Sequence, residues 1–191
     1  TVGGTAISSI NWWNADPAIV GTAYVIYRDG HIYETFPPEE WAWHAGIGNE
    51  AFDQRTIGIE IASYGALTEK TGNLFAFDGR QCLGKTSELV KTGTVVDLET
   101  PWRGVRYFAA YTPEQTAAAI ALTVQLCEQF GIPKTLSAEV LTPQGDATPW
   151  LTYSGVLHHA MIRKDKTDLH PRFAWADLAS ALGCSPWEKA P

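Results

Sequence analysis

Ala23-Tyr-Val-Ile-Tyr-Arg-Asp-Gly-His-Ile-Tyr-Glu-Thr-Phe36 decides the fold class. Its two β-rich runs, Ala23 to Tyr27 and Ile32 to Phe36, are joined by Arg28-Asp29-Gly30-His31. Asp-Gly tolerates the positive φ of a tight hairpin turn, so the stretch predicts two antiparallel strands. Pro37-Pro38 ends the hairpin, and a Trp- and Gly-rich loop follows over Glu39 to Phe52. In Thr56 to Ala62, Ile57, Ile59 and Ile61 alternate with Gly58 and Glu60. The alternation predicts a third strand with Glu60 on its polar face. Helical signals flank these strands. Thr5 to Ala15 carries Ile7, Ile10, Trp13 and Asn14 at helical spacing, with Thr5 or Ser8 as cap and Pro17 as the stop. Thr112-Pro113-Glu114-Gln115 supplies a cap, proline at the first helical position and an acidic first turn for a helix reaching about Phe130. Gly155 to His159 reads as a buried strand, and Phe173 to Leu182 as a closing helix stopped by Gly183. The predicted architecture is α/β: a single domain over residues 1–191 with a central mixed β-sheet flanked by α-helices. Residues 63–110 show no sustained periodicity and read as an elaborate surface insertion.

Composition excludes several partners. The chain has 191 residues, a net charge of −7, and 14 Lys+Arg against 21 Asp+Glu, with no basic run to follow a phosphate backbone. Nucleic acid is therefore not the expected partner. No apolar stretch reaches the roughly 20 residues of a membrane span. Three cysteines make no complete disulfide framework, and a chain of this size buries about 70% of its unfolded surface without one.

Chemistry concentrates near the carboxyl end. Of the five histidines, His158, His159 and His170 fall between Val156 and Pro171, together with Asp165 and Asp168. Imidazole with carboxylate is a legitimate zinc set, for which His159 and Asp168 are suited. On a strand His158 and His159 point to opposite faces, so at most one faces a given site. The bland reading of such a pair is one core and one surface histidine. Glu60 has the position of a general base or of an ordinary solvated carboxylate. Lys166 is a candidate oxyanion stabiliser. His44, between Trp41 and Trp43, is a candidate liner of a cleft with aromatic walls.

Taken in order, Asn11-Trp-Trp-Asn14, the hairpin, Ala42-Trp-His-Ala-Gly46, Thr56-Ile-Gly-Ile-Glu60, Tyr111-Thr-Pro-Glu-Gln115 and Lys166-Thr-Asp-Leu-His-Pro-Arg-Phe-Ala-Trp175 resemble the zinc-dependent N-acetylmuramoyl-L-alanine amidases of the type-2 amidase and peptidoglycan-recognition-protein superfamily. The resemblance covers the chain except about 63–110 and 134–153. The last motif is similar to the family's Lys-x-Asp-Pro-Gly-Pro-x-Phe-x-Trp, which implies Asp168 as a metal ligand and Lys166 as a catalytic lysine. His159 with Ile162 matches the family's Gly-His-x-x-Ile ligand histidine, and Glu60 falls on the glutamate that activates water. His44, Trp41 and Trp43 are implied in substrate binding.

Two departures matter. Leu169-His170 replaces Pro-Gly, so His170 competes with Asp168 as the ligand. The family's first zinc ligand, on an opening strand as His-x-Thr or His-x-Ser, has no counterpart; Thr1 resembles that Thr, which places the histidine upstream of the first residue on a truncated opening strand. The implied cofactor is Zn²⁺ and the implied partner bacterial peptidoglycan, met by a monomer acting on the cell wall as a phage endolysin or a secreted or periplasmic bacterial enzyme. The competing expectations are a zinc-free peptidoglycan-binding module, should the ligand be absent, and a zinc hydrolase of another amide.

Overall fold

The computed structural model of the chain describes residues 5–76 and 79–184. A three-stranded sheet with the order β2-β1-β3 lies at its centre. Strand β1 (Tyr24–Ile26) pairs antiparallel with β2 (Ile32–Glu34) and parallel with β3 (Ile59–Ile61), so the sheet is mixed. The turn between β1 and β2 runs through Gly30 at φ +84°, where an added Cβ would meet the Glu114 carbonyl oxygen at 2.9 Å. Only glycine fits that approach.

Side-chain alternation sorts the sheet into two faces. Val25, fully buried, faces Ala6, Ile10 and Trp13 of helix α1 (Ala6–Ala15). Tyr24 and Ile26 face the main core with Ala119, Leu122, Leu126, Met161, Trp175 and Leu178. That core is built on helices α4 (Pro113–Phe130) and α6 (Trp175–Leu182), which pack on each other. Two one-turn elements lie between. Helix α2 (Glu50–Asp53) follows the Trp-rich loop, and helix α5 (His159–Ile162) precedes the closing segment.

The helix ends are where the sequence signals place them. Thr5 Oγ1 accepts from Ser8 N–H at 3.1 Å and caps α1. Thr112 and Gln115 form a capping box on α4, and Gly131 closes the helix in the left-handed region at φ +62°. This box is also a tertiary joint. The Thr112 hydroxyl donates to the Arg28 carbonyl at 2.6 Å, and Gln115, fully buried, donates from Nε2 to the Ala62 carbonyl at 2.7 Å. The N-terminus of α4 is thus stitched to the β1–β2 turn and to the end of β3.

Two readings of the sequence are corrected. Residues 63–110, read as an elaborate surface insertion without regular elements, carry a second, five-stranded antiparallel sheet of order β6-β5-β4-β8-β7. Its strands are β4 (Ala66–Lys70), β5 (Asn73–Phe75), β6 (Cys82–Lys85), β7 (Val95–Trp102) and β8 (Val105–Ala109), with helix α3 (Thr86–Lys91) between β6 and β7. Leu67, Leu74, Val95, Tyr107 and Ala109 give it a small core of its own. Several strands are short, and Thr71-Gly72 and Arg103-Gly104 turn them with positive φ at both positions. Gly155 to His159 is not a strand: Val156 makes a single parallel bridge to Leu136, and His159 opens α5. The expected opening strand and its upstream ligand lie outside the described residues.

Thr112→Ala removes both the cap and the bond to Arg28. It should lower unfolding free energy by about 1–2 kcal/mol, read as a drop in the urea midpoint with an unchanged m-value.

Candidate active site

Asp53 closes α2 and is fully buried. Its Oδ1 accepts the backbone N–H groups of both His44 and Ala45, each at 2.8 Å. The Trp-His-Ala-Gly loop is thereby folded around a carboxyl group, and the carbonyl of His44 is turned towards α5. His159 donates from Nε2 to that carbonyl at 2.7 Å. With Nε2 committed as donor, Nδ1 faces the Asp168 Oδ2 at 2.8 Å. At that distance a proton is shared between the imidazole and the carboxylate, and the same two atoms are of the types that ligate a metal.

The electrostatics agree with that geometry. Burial pulls the His159 imidazole down, but the Asp168 carboxylate outweighs it and holds the ring above its ordinary value. Burial works against the Asp168 carboxylate, yet the hydrogen bond and charge of His159, with Lys166 beside them, pull it down to about 2. Lys166 acts on both residues, so the structure brings His159, Asp168 and Lys166 together. Glu60 sits at the centre of β3 in register with Val25, opposite to the core-facing Ile59 and Ile61. Burial raises the Tyr111 hydroxyl well above its ordinary value, and the charges of Asp168 and then Glu60 add to this. Both carboxylates therefore lie within electrostatic reach of Tyr111.

The remaining histidines have structural places. His158 is buried against Trp175; its Nδ1 accepts from the Leu169 N–H at 3.1 Å and its Nε2 donates to the Val140 carbonyl at 3.3 Å. Burial lowers it to about 4, so the ring is neutral. His170 is 3% exposed, stacked on Tyr111 at 5.2 Å and tilted on Phe108 at 5.3 Å, and burial lowers it to about 4. Asp168, not His170, is the group that faces His159.

His44 was expected to line a cleft, and its ring does otherwise. The side chain is 11% exposed, with Nδ1 donating to the Ala42 carbonyl and Nε2 paired with the Thr56 hydroxyl, each at 2.8 Å. Both nitrogens are used inside the protein, and burial keeps the ring below its ordinary value. What His44 offers the site is its carbonyl. Trp41 and Trp43, half-buried, meet edge to face at 5.4 Å.

Two contributors escape sequence reasoning, Asp53 and Arg103, and the place of Tyr111 near Asp168 and Glu60 goes beyond the motif it opens. The guanidinium of Arg103 donates to the carbonyls of Arg163, Lys166, Pro143 and Ala160. Only the two-residue turn Arg103-Gly104 marked its place locally.

As to metal binding, His159 and Asp168 have the right chemistry and face each other; among the described residues no group of three His, Cys, Asp or Glu side chains is gathered to hold an ion. Their donor set fits two positions of a catalytic zinc site, which takes three protein ligands.

Comparison with known proteins adds two findings. A family model described as N-acetylmuramoyl-L-alanine amidase matches residues 1–171. Among solved structures, the chain is similar to the N-acetylmuramyl-L-alanine amidase AmiD from E. coli, in complex with the substrate anhydro-N-acetylmuramic acid-L-Ala-D-gamma-Glu-L-Lys, with a TM-score of 0.52 and 22% sequence identity. The likeness covers 98% of this chain and 56% of that one, so the chain spans little more than half of the length of that relative. No curated protein matches the chain.

Replacing Asp53 by alanine leaves two buried N–H groups without an acceptor. The expected cost is about 2–4 kcal/mol, measured by chemical denaturation against Asp53→Asn, whose amide oxygen still accepts.

Proposed function

The chain belongs to the N-acetylmuramoyl-L-alanine amidase family, and on that premise we propose that it hydrolyses the amide between the lactyl group of N-acetylmuramic acid and the L-alanine of the peptidoglycan stem peptide. The observation that carries this reading is the His159–Asp168 pair. Its Nε2 side is pinned to the His44 carbonyl, and its Nδ1 is directed at Oδ2 of Asp168 at 2.8 Å. That is the arrangement in which an outer acceptor fixes the tautomer of a metal-ligating histidine. His159 Nδ1 and Asp168 Oδ2 are the atoms that would hold Zn²⁺. When bound, zinc polarises the substrate carbonyl and lowers the pKa of water towards about 7.

The residues around the pair have complementary tasks. Glu60 accepts the proton of the attacking water and returns it to the amine of L-alanine as the C–N bond breaks. Water oxygen ends on the lactyl carboxylate, and the peptide leaves with a free amino terminus. Lys166, whose charge already acts on Asp168 and His159, stabilises the negative charge that develops on the carbonyl oxygen. Tyr111, kept protonated by its burial and the charges of Asp168 and Glu60, is braced on the rings of His170 and Phe173. Trp41 and Trp43, on the loop that delivers the His44 carbonyl, offer half-buried aromatic faces to the sugar or peptide.

The test is metal content together with release of L-alanine amino termini from purified peptidoglycan. One zinc per chain and release of those termini is the expected result. His159→Ala should lose the metal. Glu60→Ala should keep the metal and lose at least about 10²-fold in kcat, and Lys166→Ala should lose a comparable 10²–10³-fold. Absence of zinc and of cleavage, with peptidoglycan still bound, would leave a recognition module instead.

A further inference from the structure

Arg103 occupies the tip of the β7–β8 hairpin, in a two-residue turn with φ +50° at Arg103 and +78° at Gly104, between the paired residues Trp102 and Val105. A non-glycine residue in the left-handed region is uncommon outside such turns. Here the turn aims a long cationic side chain out of the second sheet. Its guanidinium lies 5.2 Å from the Trp102 ring centroid, and that ring leans on Phe108 at 6.1 Å, so an aromatic face of the hairpin backs the head.

The head serves four carbonyls. One terminal nitrogen donates to Arg163 O at 2.7 Å and to Lys166 O; the other donates to Pro143 O at 2.9 Å and to Ala160 O at 2.7 Å. Ala160 follows His159 in α5, and Lys166 stands two residues before Asp168. Ala160 also donates its N–H to the Asp168 carbonyl at 3.1 Å. One side chain therefore joins the helix that carries the histidine to the segment that carries the lysine and the aspartate. Burial lowers the Arg103 guanidinium from its ordinary value, and the charges of Asp165 and Asp168 oppose that. Lysine is no substitute, because a single ammonium with three donors cannot span acceptors set around a planar fork of five.

We propose that Arg103 is a positioning residue for the amide hydrolysis: through it the second sheet sets the spacing between His159 on α5 and Lys166 and Asp168 on the following segment. This rests on the amidase reading above. The second sheet is accordingly part of the active centre, and Arg103 acts through the backbone of the residues it holds without touching substrate.

The experiment compares Arg103→Ala and Arg103→Lys with Arg106→Ala. Arg106 is on the same hairpin, with its side chain 47% exposed and paired to Asp97 outside the site. Zinc affinity by chelator competition, kcat and KM on a soluble muropeptide, and amide hydrogen exchange over residues 163–168 are read on each protein. For Arg103→Ala the expected result is zinc affinity lower by about 10- to 100-fold, kcat lower by about 10²-fold, KM little changed, and faster exchange over 163–168. Millimolar guanidinium should restore part of kcat to this variant alone. Arg103→Lys should resemble Arg103→Ala, and Arg106→Ala should match the parent. A parent-like zinc affinity, kcat and exchange pattern in Arg103→Ala overturns the proposal. If Arg103→Ala does not fold, Arg103→Lys, which keeps charge and stem, decides by the same readouts. A parent chain without zinc or cleavage overturns the amidase reading itself, while exchange over 163–168 still decides whether Arg103 holds the segment.

Discussion

A buried carboxyl group, Asp53, accepts two successive backbone N–H groups and so dictates how the chain turns at His44. Burying such a group is unfavourable unless its hydrogen-bonding capacity is used. Here Oδ1 is used twice, on successive N–H groups of a loop. The loop needs that support because its product is an orientation: the His44 carbonyl must meet Nε2 of His159 from across the fold. A histidine with one nitrogen already committed presents the other in a defined tautomer and direction. The chemistry expected of His159 thus depends on a residue that touches no reacting atom.

The same division of labour recurs in the two sheets. The mixed sheet supplies Glu60 from β3, with Val25 beside it and the main core beneath Ile59 and Ile61. The antiparallel sheet supplies no residue of the expected catalytic set, yet its Arg103 holds the carbonyls that flank that set. Phe108, from β8, and Tyr111, just after it, enclose His170, so the segment after Asp168 is also anchored on the second sheet. Where the family's Pro-Gly would shape this turn through its backbone, Leu169-His170 shapes it by packing an imidazole between two aromatic rings.

Elements announced by local chemistry were legible in the sequence. Thr5, Asp29-Gly30, Thr112-Pro113 and Gly183 specify caps and turns by their own side chains or lack of one, so α1, the hairpin and the ends of α4 and α6 lie close to where they were predicted. The second sheet was not legible because its shorter strands show little alternation, and its turns carry Thr-Gly and Arg-Gly in place of Asn-Gly or Asp-Gly. Helix α5 is one turn stabilised by its surroundings, with Ala160 N–H reaching the Asp168 carbonyl, so five residues in sequence resembled a strand. At the site, motif order pointed to His159, Asp168, Lys166 and Glu60, but nothing in His44 itself showed that its carbonyl, and not its ring, is what faces the histidine. The reach of Arg103 belongs to tertiary structure alone.

The bonds that assemble the site span long stretches of chain. Arg103 meets partners 40 to 63 residues downstream, and His159 meets His44 across 115 residues. Closing such loops costs chain entropy before any contact rewards it, so they form late relative to hairpins and helices. During synthesis, both sheets and α4 precede the segment with His159 and Lys166 and can take shape while that segment is still absent. The centre is completed when this last part docks against α4 and the mixed sheet. The same closure that brings His159 and Lys166 to the site also completes the main core with Met161, Trp175, Leu178 and Leu182, so assembling the centre and consolidating the fold are one event.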